Sequence, residues 1–103
     1  MTYRVIIEPT ARVGIRSAIA WISREQSTTA AAKWYNSIEK KVLTLGNHPR
    51  RCPIAAENEK FPEEIRELLH GRKGTRYRII FTIREDAVHV LYVRHGARDE
   101  LTP

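Results

Sequence analysis

Hydrophobic and polar positions change period twice along this chain, and each change marks an element. Residues 3–8 alternate, with Tyr3, Val5 and Ile7 on one side and Arg4, Ile6 and Glu8 on the other. That period of two predicts a short strand, ended by Pro9. Proline also suits a helix's first turn, where its missing N–H leaves nothing unpaired. Ile15, Ala18, Ile19 and Ile22 then recur at i, i+3, i+4 and i+7, the stripe of a helix buried along one side. Gly14 within it should weaken that helix by about 1 kcal/mol relative to alanine. Gln26 to Thr29 break the stripe and supply N-cap candidates in Ser27, Thr28 and Thr29. A second stripe follows in Ala31, Trp34, Tyr35, Ile38, Val42 and Leu45. Gly46 stands where a helix end favours positive φ, and Pro49 confirms the stop. These residues predict an antiparallel helical hairpin.

Asn47 to Pro62, with prolines at 49, 53 and 62, reads as a loop longer than most ordered connections. Beyond it the period returns to two. Ile65–His70 reads as one strand. Tyr77–Ile83 reads as a second, with Tyr77, Ile79, Phe81 and Ile83 on one face and Arg76, Arg78 and Arg84 on the other. Glu85-Asp86 makes a turn, and Val88–Arg94 reads as a third strand. The order β-α-α-β-β-β predicts an α+β fold, an antiparallel sheet with the helical hairpin packed on one face. Ile15, Ile19, Ile22, Trp34, Ile38, Val42, Leu45, Ile79, Phe81 and Val90 should form the core. Trp21, Trp34 and Tyr35, at helical spacing, read as packing residues. The sheet's other face is left for function.

Length fits one domain over residues 1–103. With 42% apolar and 29% charged residues the chain is composed like a globular domain. No apolar run approaches the ~20 residues of a membrane span. The start is charged too early for a signal peptide, and one cysteine, Cys52, excludes an internal disulfide framework. A cytoplasmic location is expected. Charge changes the picture more. Eighteen Lys+Arg against twelve Asp+Glu leave +6. The segment from Glu57 to Glu67 holds five acids and two bases, while Arg72 to Arg84 holds five bases and no acid. Such a cluster suits phosphate or an acidic partner, or simply a solvated surface.

Several chemistries lack their residues. One cysteine and four scattered histidines make no zinc pattern. Gly71-Arg72-Lys73-Gly74 lacks the strand–loop–helix setting of a phosphate loop. The serines all fall in or beside the helices, so no Ser-His-Asp triad assembles, and acids are too scarce on the strands for a paired-carboxylate or two-metal site. No cofactor is implied. What remains is a basic face with a histidine at its margin. Cutting RNA without a metal needs an acid, a base and cations against the charge on the phosphorus oxygens. Arginine and histidine supply these. Arg66, Arg76, Arg78, Arg94, Arg98, His70 and His95 come from the last three strands or their ends. Each also has a plain structural reading: Arg78 as the wet side of a half-buried strand, His95 as a cap, His70 as a loop-edge residue, and His89 as a packed or surface one.

Three runs resemble a family: Ile65-Arg66-Glu67-Leu68-Leu69, Tyr77-Arg78-Ile79-Ile80-Phe81 and Val90-Leu91-Tyr92-Val93-Arg94-His95-Gly96-Ala97-Arg98. In order and spacing they are similar to the RelE/ParE toxins of bacterial type II toxin–antitoxin modules, often labelled plasmid stabilisation proteins. The resemblance implies a toxin neutralised by a cognate antitoxin in a hetero-oligomer, with no membrane partner. It also implies one of two targets. RelE-like members cut mRNA on the ribosome, and Arg78, His95, Arg66 and Arg98 would be the catalytic set. ParE-like members inhibit DNA gyrase. Leu68 stands where RNA cutters carry a second cation, and the chain ends eight residues after His95 without their tail tyrosine. The His-Gly-Ala-Arg ending favours ParE-like action on gyrase. Arg72, Lys73, Arg76, Arg84 and Arg94 are then expected to contact a partner or nucleic acid. A non-toxic or decayed basic binding domain is the remaining alternative.

Overall fold

The structure, a computed structural model, describes residues 2–72 and 75–96. The N-terminal alternation forms β1 (Arg4–Ile7), and Glu8, in extended backbone, leads straight into α1 (Pro9–Glu25) with the proline in its first turn. α1 buries Ala11, Ile15, Ala18 and Ile22. α2 (Thr28–Leu43) starts at Ser27, whose hydroxyl accepts a hydrogen bond from the Ala30 N–H at 3.0 Å, a cap worth about 1 kcal/mol. It buries Ala31, Ile38 and Val42.

The end of α2 differs from expectation. The helix stops at Leu43 and tightens into a 3₁₀ turn over Thr44–Gly46. Gly46 does not take positive φ; among the described glycines only Gly71 does, at 104°. What Gly46 needs is room. The Tyr3 N–H donates to its carbonyl at 2.8 Å, and a Cβ there would lie 3.2 Å from the Tyr3 carbonyl oxygen.

β2 (Arg66–His70), β3 (Tyr77–Arg84) and β4 (Ala87–His95) form the antiparallel meander, and the sheet order is β1-β4-β3-β2. The sheet is mixed rather than wholly antiparallel, because β1 runs parallel beside β4, from Arg4 opposite Ala87 to Ile7 opposite Val90. The long connection between them, through both helices, the segment after α2, β2 and β3, permits that direction where a tight hairpin does not. It also packs Val5 and Ile7 into the helix-side core.

One residue of β4 resets its faces. Ile80 pairs with Tyr92 and Phe81 with Val90, so Leu91 is bulged, and its carbonyl accepts the Thr10 hydroxyl at 2.5 Å. Val88, Val90 and Val93 pack with the helices, whereas Leu91 and Tyr92 both pack on the other side. The bulge thereby turns His95 toward the helix layer, where its ring meets Tyr77 edge-on with centroids 5.3 Å apart.

The core lies between helices and sheet and contains the expected residues except Ile22, which is buried outside this cluster, with Ile19 and Trp34 at its border. Trp34 packs on Tyr77 with centroids 4.9 Å apart. Trp21 departs from expectation: it is 46% exposed. Gly14 has a reason to be glycine, since a Cβ there would sit 2.1 Å from the Val93 carbonyl oxygen. α1 crosses β4 backbone to backbone at this point.

Candidate functional site

The sheet face away from the helices is covered. The segment after α2 folds back over it: Ala55 and Ile65 are buried against Ile80, with Phe61 edge-on to Tyr92 at 6.2 Å. Backbone bonds fasten the segment, Ala55 N–H to the Ile65 carbonyl (2.9 Å) and Glu67 N–H to the Pro53 carbonyl (3.0 Å). Asn58 Oδ1 accepts the Ile65 N–H at 2.7 Å, and the Thr82 hydroxyl donates to the Glu64 carbonyl at 2.8 Å. The long prolyl segment is therefore a fixed strap.

The strap carries the acids that face the strand arginines. Arg78, at the centre of β3, donates from its two terminal nitrogens to the two oxygens of Glu57 at 2.8 and 2.6 Å, and from Nε to Glu67. The Glu57 side chain is 1% exposed and that of Arg78 14%. The bidentate bond to Glu57, aided by Glu67 and opposed by burial, holds the guanidinium above its ordinary pKa, so it stays charged. Arg84 makes a forked pair with Glu63 at 2.6 and 2.8 Å, which lowers the Glu63 pKa. His89 bonds Glu8 through Nδ1 at 2.8 Å.

Strand pairing separates the residues that sequence placed in one catalytic set. Arg78 is opposite Arg94 on the strap side, whereas Arg66 is opposite Phe81 and His95 opposite Tyr77, both on the helix side. Phe81 and Tyr77 are four positions apart, so Arg66 and His95 stand roughly 13 Å apart along the strands. Arg66 donates to the Cys52 carbonyl at 2.7 Å and to Glu64 at 3.0 Å, tying the strap's start to β2. His70 is bound to Ser37 of α2 at 2.9 Å and joins β2 to the helix layer. Burial, with Lys41 second, depresses the His70 pKa. Arg72 and Arg76 are exposed at the β2–β3 end of the sheet. Arg98 and Lys73 lie outside the described residues.

A groove of about 480 Å³ runs between α1 and the end of β4. Gly14, Ala18 and Val93 form its floor, Val13 and Trp21 one wall, and Arg94 and His95 the far rim. Val13 and Trp21, 54% and 46% exposed, are the large apolar side chains it presents to solvent. Sequence reading missed it. Thr10, Val13, Ser17 and Trp21 do form a second stripe along α1, but the stripe gains meaning only once the bulge brings Val93 and His95 beneath it. Among the described residues no three His, Cys, Asp or Glu side chains gather where a metal ion could sit.

A helical hairpin on a four-strand mixed sheet, a strap across the other face and an open α1–β4 groove define a small α+β domain. Residues 5–100 match the family described as the ParE toxin of type II toxin–antitoxin systems, parDE. The chain belongs to that family. Its fold is similar to a solved structure described as the chromosomal ParDE toxin–antitoxin system from P. aeruginosa, with a TM-score of 0.73 at 13% identity over 91% of this chain and 96% of that one. No curated protein sequence matches the chain. No helix among the described residues is long and apolar enough to cross a membrane.

Proposed function

We propose that this ParE-family toxin inhibits DNA gyrase in the cytoplasm and is neutralised by an antitoxin segment seated in the α1–β4 groove. The observation that carries the reading is the state of Arg78. A scissile phosphate would need its guanidinium, yet two carboxylates already hold it on a buried face. Displacing them would leave Glu57 charged, buried and without its bidentate partner, at a cost of several kcal/mol. The groove supports the second half of the proposal. Exposed Val13 and Trp21 suit an apolar anchor, and the cation at its rim, Arg94, suits an acidic neighbour in the same segment. Arg72, Arg76 and Arg94 are the partner-contacting candidates within the described residues; Arg84 is tied to Glu63.

Inducing the gene without its neighbours tests the target. Intact transcripts with DNA damage and SOS induction are the expected result. Transcripts cut within codons, dependent on translation, would replace this reading with ribosome-dependent RNA cleavage. That second reading rests on Arg94 and His95 sharing one rim of the groove.

A further inference from the structure

The net charge of +6 comes from one stretch of the chain. Residues 9–51 hold six helix bases, Arg12, Arg16, Arg24, Lys33, Lys40 and Lys41, plus Arg50 and Arg51 in the following turns. Against these eight stand two acids, Glu25 and Glu39, so eight minus two gives the whole +6. The rest of the chain carries ten bases and ten acids and sums to zero. Of the sheet cations expected to form the basic face, Arg66, Arg78 and Arg84 pair with acids of the strap and β2, and the excess lies in the helical hairpin, at +4, and in the turns after it, at +2.

All eight of these bases except Lys41 are exposed, and none is in an ion pair among the described residues. Arg50 donates to the Tyr3 hydroxyl and Arg51 to backbone carbonyls, neutral acceptors that leave both charges uncompensated. Lys33 and Lys40 are two helical turns apart, roughly 10 Å, on the exposed side of α2. Arg12 and Arg16, one turn apart on α1, flank the crevice that Tyr35 and Glu39 close from α2.

We infer that the exposed face of the α1–α2 hairpin docks on the phosphate backbone of duplex nucleic acid. Charge complementarity names the partner's class. The face offers little of the apolar centre that a protein interface needs: Leu43 is exposed, Tyr35 is partly so and bonds Glu39 through its hydroxyl, and Trp21 and Val13 lie in the groove on α1's other flank. It also lacks the row of free aromatic rings on which single-stranded bases stack. Spaced cations that outnumber the face's acids, of which Glu39 accepts the Tyr35 hydroxyl, suit regularly spaced phosphates. The inference stands whether or not gyrase is the target.

Fluorescence anisotropy of the full chain with a duplex of about twenty base pairs tests it between about 50 and 200 mM salt. Neutralising about five phosphates gives a log–log salt slope near −4.5. The quadruple variant Arg12→Gln/Arg16→Gln/Lys33→Gln/Lys40→Gln should flatten the slope by about 3.6 and weaken low-salt binding at least about tenfold more than a second quadruple variant of equal charge. That second variant is Arg4→Gln/Arg72→Gln/Arg76→Gln/Arg94→Gln. Lys33→Gln and Lys40→Gln, each alone, should flatten the slope by about 0.9 and serve if either quadruple variant melts early. Equal losses in the two quadruple variants would overturn the inference, because net charge and not the hairpin face would then govern binding. So would the absence of salt-dependent binding, or affinity for poly-glutamate of matched charge equal to that for the duplex.

Discussion

Removing Arg78 separates its structural role from a catalytic one. In Arg78→Ala the buried Glu57 carboxylate and the part-buried Glu67 lose their shared cation and face each other across the cavity. Breaking a buried pair from one side costs about 3–5 kcal/mol. Two carboxylates losing one shared cation place this case near the upper end, against a total stability of about 5–15 kcal/mol for a domain of this size. The melting temperature should fall by roughly 20–40 °C, taking about 4–8 °C per kcal/mol. Glu57→Gln should cost less, because Glu67 still holds the guanidinium. Arg78→Met/Glu57→Met replaces the pair with apolar side chains of similar volume and should recover most of the loss. Urea unfolding followed by circular dichroism gives the free energies, and growth inhibition gives the activity of the same variants. The double variant should be folded and toxic. A folded double variant that had lost toxicity would refute the reasoning and restore Arg78 to a role at the reacting phosphate. So would an Arg78→Ala cost below about 1 kcal/mol, the level of an exposed pair.

Gly14→Ala should destabilise by about 1–3 kcal/mol despite the better helix propensity of alanine, because its Cβ meets the Val93 carbonyl; a higher melting temperature would contradict the α1–β4 contact. Trp21→Ala should change stability by less than about 1 kcal/mol yet weaken antitoxin binding at least about tenfold, read by calorimetry on the purified pair. His70 adds an acid-side dependence. Above about pH 6.5 it is neutral in both folded and unfolded chains. Below that the unfolded chain takes the proton first, because burial depresses the folded pKa, so stability falls until that pKa is passed as well. His70→Gln should flatten this part of the stability–pH curve, and an unchanged curve would show that His70 carries no such linkage.

Element order, both helices and the three-strand meander were legible because each rests on a local period. Ile15–Ile22 repeats at 3.6 and Tyr77–Ile83 at 2, and burial on one side leaves little freedom in which face turns inward. What stayed hidden depends on contacts distant in sequence. The parallel place of β1, and the closeness that makes Gly14 and Gly46 glycine, appear only when backbones meet. The Leu91 bulge reverses the faces of β4 from a single residue, and no run of side chain types announces it. Charge was legible as composition and misleading as location. Of the base block at 72–84, Arg78 and Arg84 reach back to Glu57, Glu67 and Glu63 of the acid block at 57–67, so part of the basic cluster is taken up in ion pairs. A clue was available, since five acids precede five bases across a short connection.

The most direct test of the central claim uses purified protein, purified gyrase and relaxed plasmid, with stalled ribosomes and mRNA as the parallel assay. The account predicts blocked supercoiling or trapped cleaved DNA in the first, relieved by antitoxin, and intact mRNA in the second. Unaffected gyrase together with translation-dependent mRNA cuts would contradict it.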